Sequence, residues 1–405
     1  MSGTLSEREW VGALVADAVA RVPFYRDHLA DAPTDRLAEL PTFDKHTTAG
    51  HGRFPLSADG ARGAHRVIAT SGTSGDRLCM AFDRADWERT GAWLARAARH
   101  GRLGPKDVLL NTHCYGLWVG GPALDLLAQS AGAGLLPLGP CAPEVVLRFL
   151  ADGVGTAISA TPSYLRRLVE TAEASGADLA SSGLRVGFIG AEPAEQSLRR
   201  KLLAALPPSF RWVELYGLTE TTGPSVAFGP DPEADELVLN GGDFRAEVLA
   251  RGSDAHVAVG EVGELTLTTR RVGCRSPLIR YRTRDLVRAT AGDPSDAERI
   301  SRILGRADDA LKVGGVLVYP TSVAEIVSEV LPASAEWRAV LRRGEPDDEL
   351  LVEAEADAQA CAAVADALRT RVGLGVEVVP AGELARSREK TRRILVDSTR
   401  LVSSS

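Results

Sequence analysis

Six consecutive residues, Thr70-Ser71-Gly72-Thr73-Ser74-Gly75, have the composition of a loop that can hold a polyphosphate. Glycines let a backbone turn tightly and bring its N–H groups against an anion. Ser and Thr hydroxyls add short, rotatable donors. The apolar run Val67-Ile68-Ala69 comes before and Asp76-Arg77-Leu78-Cys79-Met80-Ala81-Phe82 after, so the loop is predicted to join two strands. It is not a Walker A loop, because no Gly-Lys-Ser/Thr follows at the required spacing. Alone, the cluster reads more readily as a flexible surface turn, because short Gly/Ser/Thr clusters are common in loops. What the rest of the chain carries decides its meaning.

Other chemistry-bearing segments sit at the ends of short apolar runs. The run 156–160, which ends at Ala160, leads into Thr161-Pro162-Ser163-Tyr164, and 185–190 leads into Gly190-Ala191-Glu192-Pro193. Trp212-Val213-Glu214-Leu215 leads into Tyr216-Gly217-Leu218-Thr219-Glu220. Val108-Leu109-Leu110-Asn111 runs into His113-Cys114 and then Tyr115-Gly116-Leu117-Trp118, an aromatic, glycine-broken stretch of the kind that lines a ligand pocket. Core packing with glycine turns is its plainer reading.

The elements that must position these segments follow from periodicity. Residues 6–21 place apolar side chains at helical spacing behind a Ser6/Glu9 capping box, and Pro23 ends that helix. Helices are predicted over 86–100, 122–131 and 142–151, alternating with strands 108–111, 135–138, 156–160, 185–190 and 212–215. That alternation predicts an α/β layered domain with ligands at the carboxyl ends of its strands. Beyond Gly229 the pattern turns to strands (236–239, 244–249, 263–268, 278–281), a β subdomain of about residues 230–300. A hairpin over 312–319, helices over 321–331 and 357–371, and strands 337–341, 350–355 and 376–379 predict a second, α+β unit. The expected division is therefore 1–307 and 308–405, with residues 386–393 a basic loop.

Composition narrows the function classes. At 405 residues the chain exceeds one ordinary core. A net charge of −7 without a long basic run argues against a nucleic-acid surface. Five scattered cysteines with no Cys-x-x-Cys pair argue against a disulfide framework or a zinc site and for a reducing, cytoplasmic compartment. His113, Cys114 and Cys141 lack metal-ligand spacing. Neither a signal peptide nor a membrane span is expected.

Taken in order, these motifs resemble the adenylate-forming superfamily, and within it the phenylacetate–coenzyme A ligase family. The resemblance covers nearly the whole chain. It rests on Val22-Pro23-Phe24-Tyr25, Thr70 to Gly75, Thr161-Pro162-Ser163-Tyr164, Gly190-Ala191-Glu192-Pro193, Tyr216-Gly217-Leu218-Thr219-Glu220, Tyr281-Arg282-Thr283-Arg284-Asp285, Gly305-Arg306-Ala307-Asp308-Asp309 and Lys390. Other branches usually carry glycine where Arg284 stands, so the Tyr-Arg-Thr-Arg-Asp form favours this one.

The resemblance implies a large N-terminal α/β domain with a β subdomain and a small, mobile C-terminal α+β domain. It implies ATP, Mg2+ and coenzyme A, or a carrier protein's phosphopantetheine arm, as cofactors and acceptors, and a small aromatic carboxylic acid as substrate. It leaves room for a homodimer. Ser71, Gly72, Thr73, Ser74 and Gly75 would hold the β- and γ-phosphates, and Thr219 the α-phosphate. Glu220 would ligate Mg2+, and Asp285 would take both ribose hydroxyls. Arg306 would pair with ribose or phosphate oxygens. Gly190, Ala191, Glu192, Pro193, Glu214, Tyr216 and Gly217 would shape the adenine slot, with the Tyr216 ring on the base. Tyr115, Gly116, Leu117, Trp118 and Ala160 would line the acyl pocket. Lys390 would swing in about an Asp308–Asp309 hinge to reach the reacting oxygen. An amine acceptor, giving an amide synthetase, and a non-catalytic nucleotide-binding homologue are the competing expectations. The second draws on Asp76, a negative charge just after the phosphate loop where relatives carry a lysine or a small residue.

Overall fold

The computed structural model describes residues 6–32, 35–70, 78–231, 233–293, 296–307, 311–313, 316–342, 349–372, 376–384 and 394–397. The phosphate-loop residues 71–75, both hinge candidates (Asp308 and Asp309) and Lys390 lie outside the described residues.

Helix α1 (Glu7–Arg21) begins with the capping box that Ser-x-x-Glu spacing predicts: Glu9 accepts from the Ser6 backbone at 2.9 Å and Ser6 accepts from the Glu9 backbone at 3.4 Å. Proline at its first position opens α2 (Pro23–His28). Strands β1 (Arg66–Ala69) and β2 (Cys79–Phe82) pair antiparallel on either side of the phosphate-loop segment. An alternating series follows: α3 (Arg84–Gly101), β3 (Val108–Asn111), α4 (Gly120–Ala131), β4 (Gly134–Pro137), α5 (Pro143–Ala151), β5 (Ala157–Ala160), α6 (Pro162–Ser175), β6 (Val186–Gly190), α7 (Gln196–Ala204) and β7 (Arg211–Leu218). Strands β3 to β7 pair parallel, as the alternation predicts. Neighbouring residues feed opposite faces: Leu109 packs with α3 and α4, and Leu110 with α5, α6 and α7.

The next strands are β8 (Gly223–Gly229), β9 (Glu236–Leu239), β10 (Phe244–Leu249), β11 (Val262–Thr269), β12 (Tyr281–Arg288), β13 (Arg299–Ser301) and β14 (Gly305–Arg306). They divide between two sheets. β8, β9 and β13 extend the main sheet antiparallel, giving the order β13-β9-β8-β7-β6-β5-β3-β4. β10, β11, β12 and β14 form a separate four-stranded sheet. Strands expected to share one subdomain thus belong to two sheets, and the run read as closing the β region, Tyr281 to Asp285, is itself a strand.

A smaller C-terminal domain completes the chain: hairpin β15 (Leu311–Val313) and β16 (Val316–Val318), α8 (Pro320–Val330), β17 (Trp337–Arg342), β18 (Glu349–Ala354), α9 (Ala358–Val372), β19 (Glu377–Pro380) and β20 (Ile394–Asp397). Its own apolar core runs from Val313 to Val376 and includes Trp337, Ile326 and Leu368. The sheet order is β19-β18-β17-β20, with β20 a parallel strand that sequence reasoning did not anticipate. No described helix is long and apolar enough to cross a membrane.

Candidate functional site

The site is built where the end of β7 meets β12. Gly217 lies at a register shift between β7 and β8, and a Cβ there would run into the carbonyl oxygen of Gly223. That bulge turns the chain from Tyr216 into the short 3-10 turn Thr219–Thr221. Tyr216 is buried, and its hydroxyl donates to Oδ2 of Asp285 at 2.7 Å. Burial, then the neighbouring carboxylate, hold its phenol well above the usual 10.0. Asp285 faces Arg306 across the β12–β14 pair, and the guanidinium Nη1 lies 3.2 Å from Oδ1. Tyr216, Asp285 and Arg306 therefore form one connected polar group.

Glu220 joins from the other direction. Tyr281, four residues before Asp285 on β12, donates its hydroxyl to Glu220 Oε1 at 2.8 Å. Both side chains are buried. Burial, then the Glu220 charge, push the Tyr281 phenol well above its ordinary value. Among the described residues no Lys, Arg or His forms an ion pair with Glu220. A buried carboxylate without a cationic side chain suits a hard divalent cation, whose remaining ligands come from phosphate and water. No described cluster of three or more His, Cys, Asp or Glu would hold a metal by itself.

Arg284 has a backbone φ of 66°, in the left-handed region that glycine favours. This accounts for the glycine expected there in other branches. Here the conformation is tied down on both sides: the Arg284 N–H donates to Glu264 Oε1 at 3.1 Å, and its guanidinium pairs with Asp44. Asp44, Glu264 and Tyr281 were not singled out by role in the sequence. Tyr281 stood inside a recognised motif, whereas nothing local marked Asp44 or Glu264.

The remaining candidates fall in neighbouring loops. Gly190 ends β6 beside Leu215 of β7, and Ala191 follows at φ 71°, a sharp turn for a non-glycine. Glu192 Oε2 accepts from the Ser163 backbone at 3.2 Å, joining the loop after β6 to the first turn of α6. Pro193 lies in that loop and Ala160 is fully buried at the end of β5. Glu214 is buried in mid-strand and pairs with Arg302. Thr219 is half-buried in the turn before Glu220.

The aromatic loop after β3 sits against the base of the phosphate-loop segment, since Ala69 N–H donates to the Leu117 carbonyl at 3.0 Å. Gly116 and Leu117 are exposed, and Trp118 is half-buried. The Tyr115 hydroxyl turns inward to Asp125 Oδ1 at 2.6 Å, beside Asn111 Nδ2 at 3.0 Å. Asn111 is fixed in turn by the Ser159 hydroxyl at 2.7 Å. Burial, then Asp125, raise the Tyr115 phenol. The hydroxyl is thus already committed to Asp125 and Asn111.

Residues 66–273 match the AMP-binding enzyme family, and residues 315–398 match the AMP-binding enzyme C-terminal domain. The chain is 30% identical to the phenylacetate–coenzyme A ligase of Escherichia coli over 399 residues, 93% of this chain and 91% of that one. It is 31% identical to the enzyme of the same name from Pseudomonas putida, over 84% of this chain and 80% of that one. Among solved structures, a 2-hydroxyisobutyryl-CoA ligase in the postadenylation state with an acyl-AMP superposes with a TM-score of 0.83 at 21% identity, covering 97% and 90% of the two chains. An anthranilate CoA ligase bound to anthranoyl-AMP gives 0.62 at 15% identity, covering 80% and 64%.

Proposed function

The chain belongs to the phenylacetate–coenzyme A ligase family of adenylate-forming enzymes, and we propose that it joins a small aromatic carboxylic acid to coenzyme A by way of an acyl-adenylate. The substrate carboxylate attacks the α-phosphorus of ATP and releases pyrophosphate; the thiol then displaces AMP. Both reactants of the first step are anions, so the protein must supply positive charge and fixed geometry.

The observation that carries this reading is the meeting of β7 and β12, where Tyr216 bonds Asp285 and Tyr281 bonds Glu220. Carboxylates 65 positions apart are thereby held on one seam, Asp285 beside Arg306 and Glu220 without a cationic partner among the described residues. In this reading Asp285 accepts from the ribose hydroxyls, with Arg306 at hand for a ribose or phosphate oxygen. Adenine enters between the segment from Gly190 to Pro193 and the Tyr216 ring. Glu214, paired with Arg302, steadies β7 beneath that slot. Ser71, Gly72, Thr73, Ser74 and Gly75 take the β- and γ-phosphates, and Thr219 the α-phosphate. Glu220 would hold Mg2+, which supplies charge neutralisation along the triphosphate. Tyr115, Gly116, Leu117, Trp118 and Ala160 line the acyl pocket, where ring faces suit an aryl acid. Lys390 is the ammonium group for the adenylation step, carried on a C-terminal domain of residues 308–405 that turns about Asp308 or Asp309. Five free cysteines support a reducing, cytoplasmic setting.

The test is pyrophosphate release across a panel of aryl and arylacetic acids, followed by mass detection of the thioester with coenzyme A, a phosphopantetheinylated carrier protein or an amine as acceptor. Expected are acid-dependent pyrophosphate release, a coenzyme A thioester, and loss of release in Lys390→Ala. Tight ATP binding with no turnover of any acid would favour the non-catalytic alternative, and an amide product the amine-acceptor one.

A further inference from the structure

We infer that Tyr281 is a positioning residue for the metal-binding carboxylate: its hydroxyl fixes Glu220 Oε1 so that Oε2 is the oxygen presented to the cation that accompanies ATP. The inference rests on the reading of Glu220 as the Mg2+ ligand and adds a residue whose role lies one step behind it.

Three features support it. First, the Tyr281 hydroxyl, at 2.8 Å, is the hydrogen-bond donor to Glu220 among the described residues. Glutamate has three rotatable side-chain bonds, so a lone carboxylate on the short turn Thr219–Thr221 would otherwise sample several orientations. Second, Tyr281 cannot follow it. Its ring is 3% exposed and packs on Phe43 with centroids 5.2 Å apart. Phe43 in turn packs on Phe24 and Tyr25 of α2. The backbone is clamped as well: Phe43 N–H donates to the Arg280 carbonyl at 3.3 Å, and Arg282 N–H donates to the Phe43 carbonyl at 2.8 Å. Phe43 thus lies beside Tyr281 like an added strand residue, and the N-terminal helical segment becomes a rigid backing for the hydroxyl. Third, a tyrosine hydroxyl is neutral. It fixes a carboxylate without discharging it, whereas Lys or Arg at this place would compete with the cation.

The experiment compares the full-length wild type, Tyr281→Phe, Glu220→Gln and the double variant. Each is measured for thermal stability, for ATP binding by calorimetry without divalent metal, and for Mn2+ binding in the presence of ATP by electron paramagnetic resonance. Hydrogen-bonded partners of metal ligands typically contribute about 10–100-fold in affinity. Tyr281→Phe is therefore expected to weaken Mn2+ binding about tenfold while leaving metal-free ATP binding unchanged. In the double variant the losses are expected to be less than additive, because the hydroxyl acts only through that carboxylate. Unchanged Mn2+ affinity in Tyr281→Phe, an equal loss of metal-free ATP binding, or full additivity would each overturn the inference. If Glu220→Gln leaves Mn2+ binding intact, the failure belongs instead to the assignment of Glu220 as ligand, and this inference falls with it.

Discussion

The Tyr216 hydroxyl and Asp285 Oδ2, 69 positions apart, are joined by a 2.7 Å hydrogen bond, and the Tyr281–Glu220 bond runs in the opposite sense across the same seam. In one bond the tyrosine comes from β7 and the carboxylate from β12. In the other the tyrosine comes from β12 and the carboxylate from the turn after β7. Such a reciprocal pair fixes the spacing of two anionic groups, which the proposed function assigns to the ribose and to the metal ion of one nucleotide. Asp285→Asn replaces the proposed ribose acceptor by a mixed amide, and hydrogen bonds to charged groups contribute about 1.5–3 kcal/mol. ATP affinity measured by calorimetry is expected to fall roughly tenfold to a hundredfold. Tyr216→Phe keeps the ring and leaves Arg306 beside Asp285, so its loss of ATP affinity is expected to be severalfold at most. A change confined to the KM of the acid in either variant would contradict this placement.

The C-terminal domain is held against the main sheet's helices by a buried latch. The Arg166 guanidinium on α6 pairs with Glu336 ahead of β17, and both side chains are at most 5% exposed. Nearby, the Lys201 ammonium on α7 donates to the carbonyls of Ser328 and Leu331, at the C-terminal end of α8, where a cation meets the negative end of the helix dipole. Removing one member of a buried ion pair typically costs about 3–5 kcal/mol. Arg166→Leu is therefore expected to lower the unfolding midpoint measured by thermal or denaturant unfolding. Because Arg166 lies away from the β7–β12 seam, ATP binding by the variant is expected to be unchanged.

Where the sequence was readable and where it was not has a physical pattern. The inner parallel strands β3, β5 and β6 announced themselves because both their faces are buried, leaving short apolar runs such as Val108-Leu109-Leu110 and Val186-Gly187-Phe188-Ile189. β8 escaped notice because Gly223, Pro224 and Gly229 are turn residues by composition, and only pairing with β7 makes a strand of them. β12 was hidden by its charges. Arg282 is paired with Glu264 and Asp254, and Arg284 with Asp44, so residues that look solvent-facing are half-buried or buried. The site motifs were legible one by one, but their contacts were not. Nothing in a linear reading joins Tyr281 to a carboxylate 61 positions earlier, or Phe43 to Tyr281.

Asp44 gives the fold a particular acid sensitivity. Burial alone would raise its carboxyl, but the Thr47 N–H and the Arg284 guanidinium outweigh that and hold it below the usual 3.8. A folded-state value below the unfolded one means stability that is fully present above the unfolded value and lost as pH falls through the folded one. Denaturant midpoints measured between neutral pH and about pH 3 should therefore fall at the acid end. Asp44→Asn is expected to be less stable at neutral pH and to show a shallower acid slope. Parallel slopes in the two proteins would rule out Asp44 as a contributor.

Arg284 separates backbone strain from ion pairing. At φ 66° an L side chain is disfavoured by roughly 1–2 kcal/mol relative to glycine, the penalty of the left-handed region. The arginine offsets it through the Asp44 pair, which truncation removes. Arg284→Ala loses the pair and keeps the strain, whereas Arg284→Gly loses the pair and relieves it. Glycine also gives the unfolded chain more freedom, which returns part of that gain. The Gly variant is nevertheless expected to be the more stable of the two, by about 1 kcal/mol in equilibrium denaturation. If the Ala variant proved equal or better, the turn at Arg284 would not be under strain, and the glycine usual in other branches would need a different reason, such as close approach of the nucleotide to that stretch of backbone.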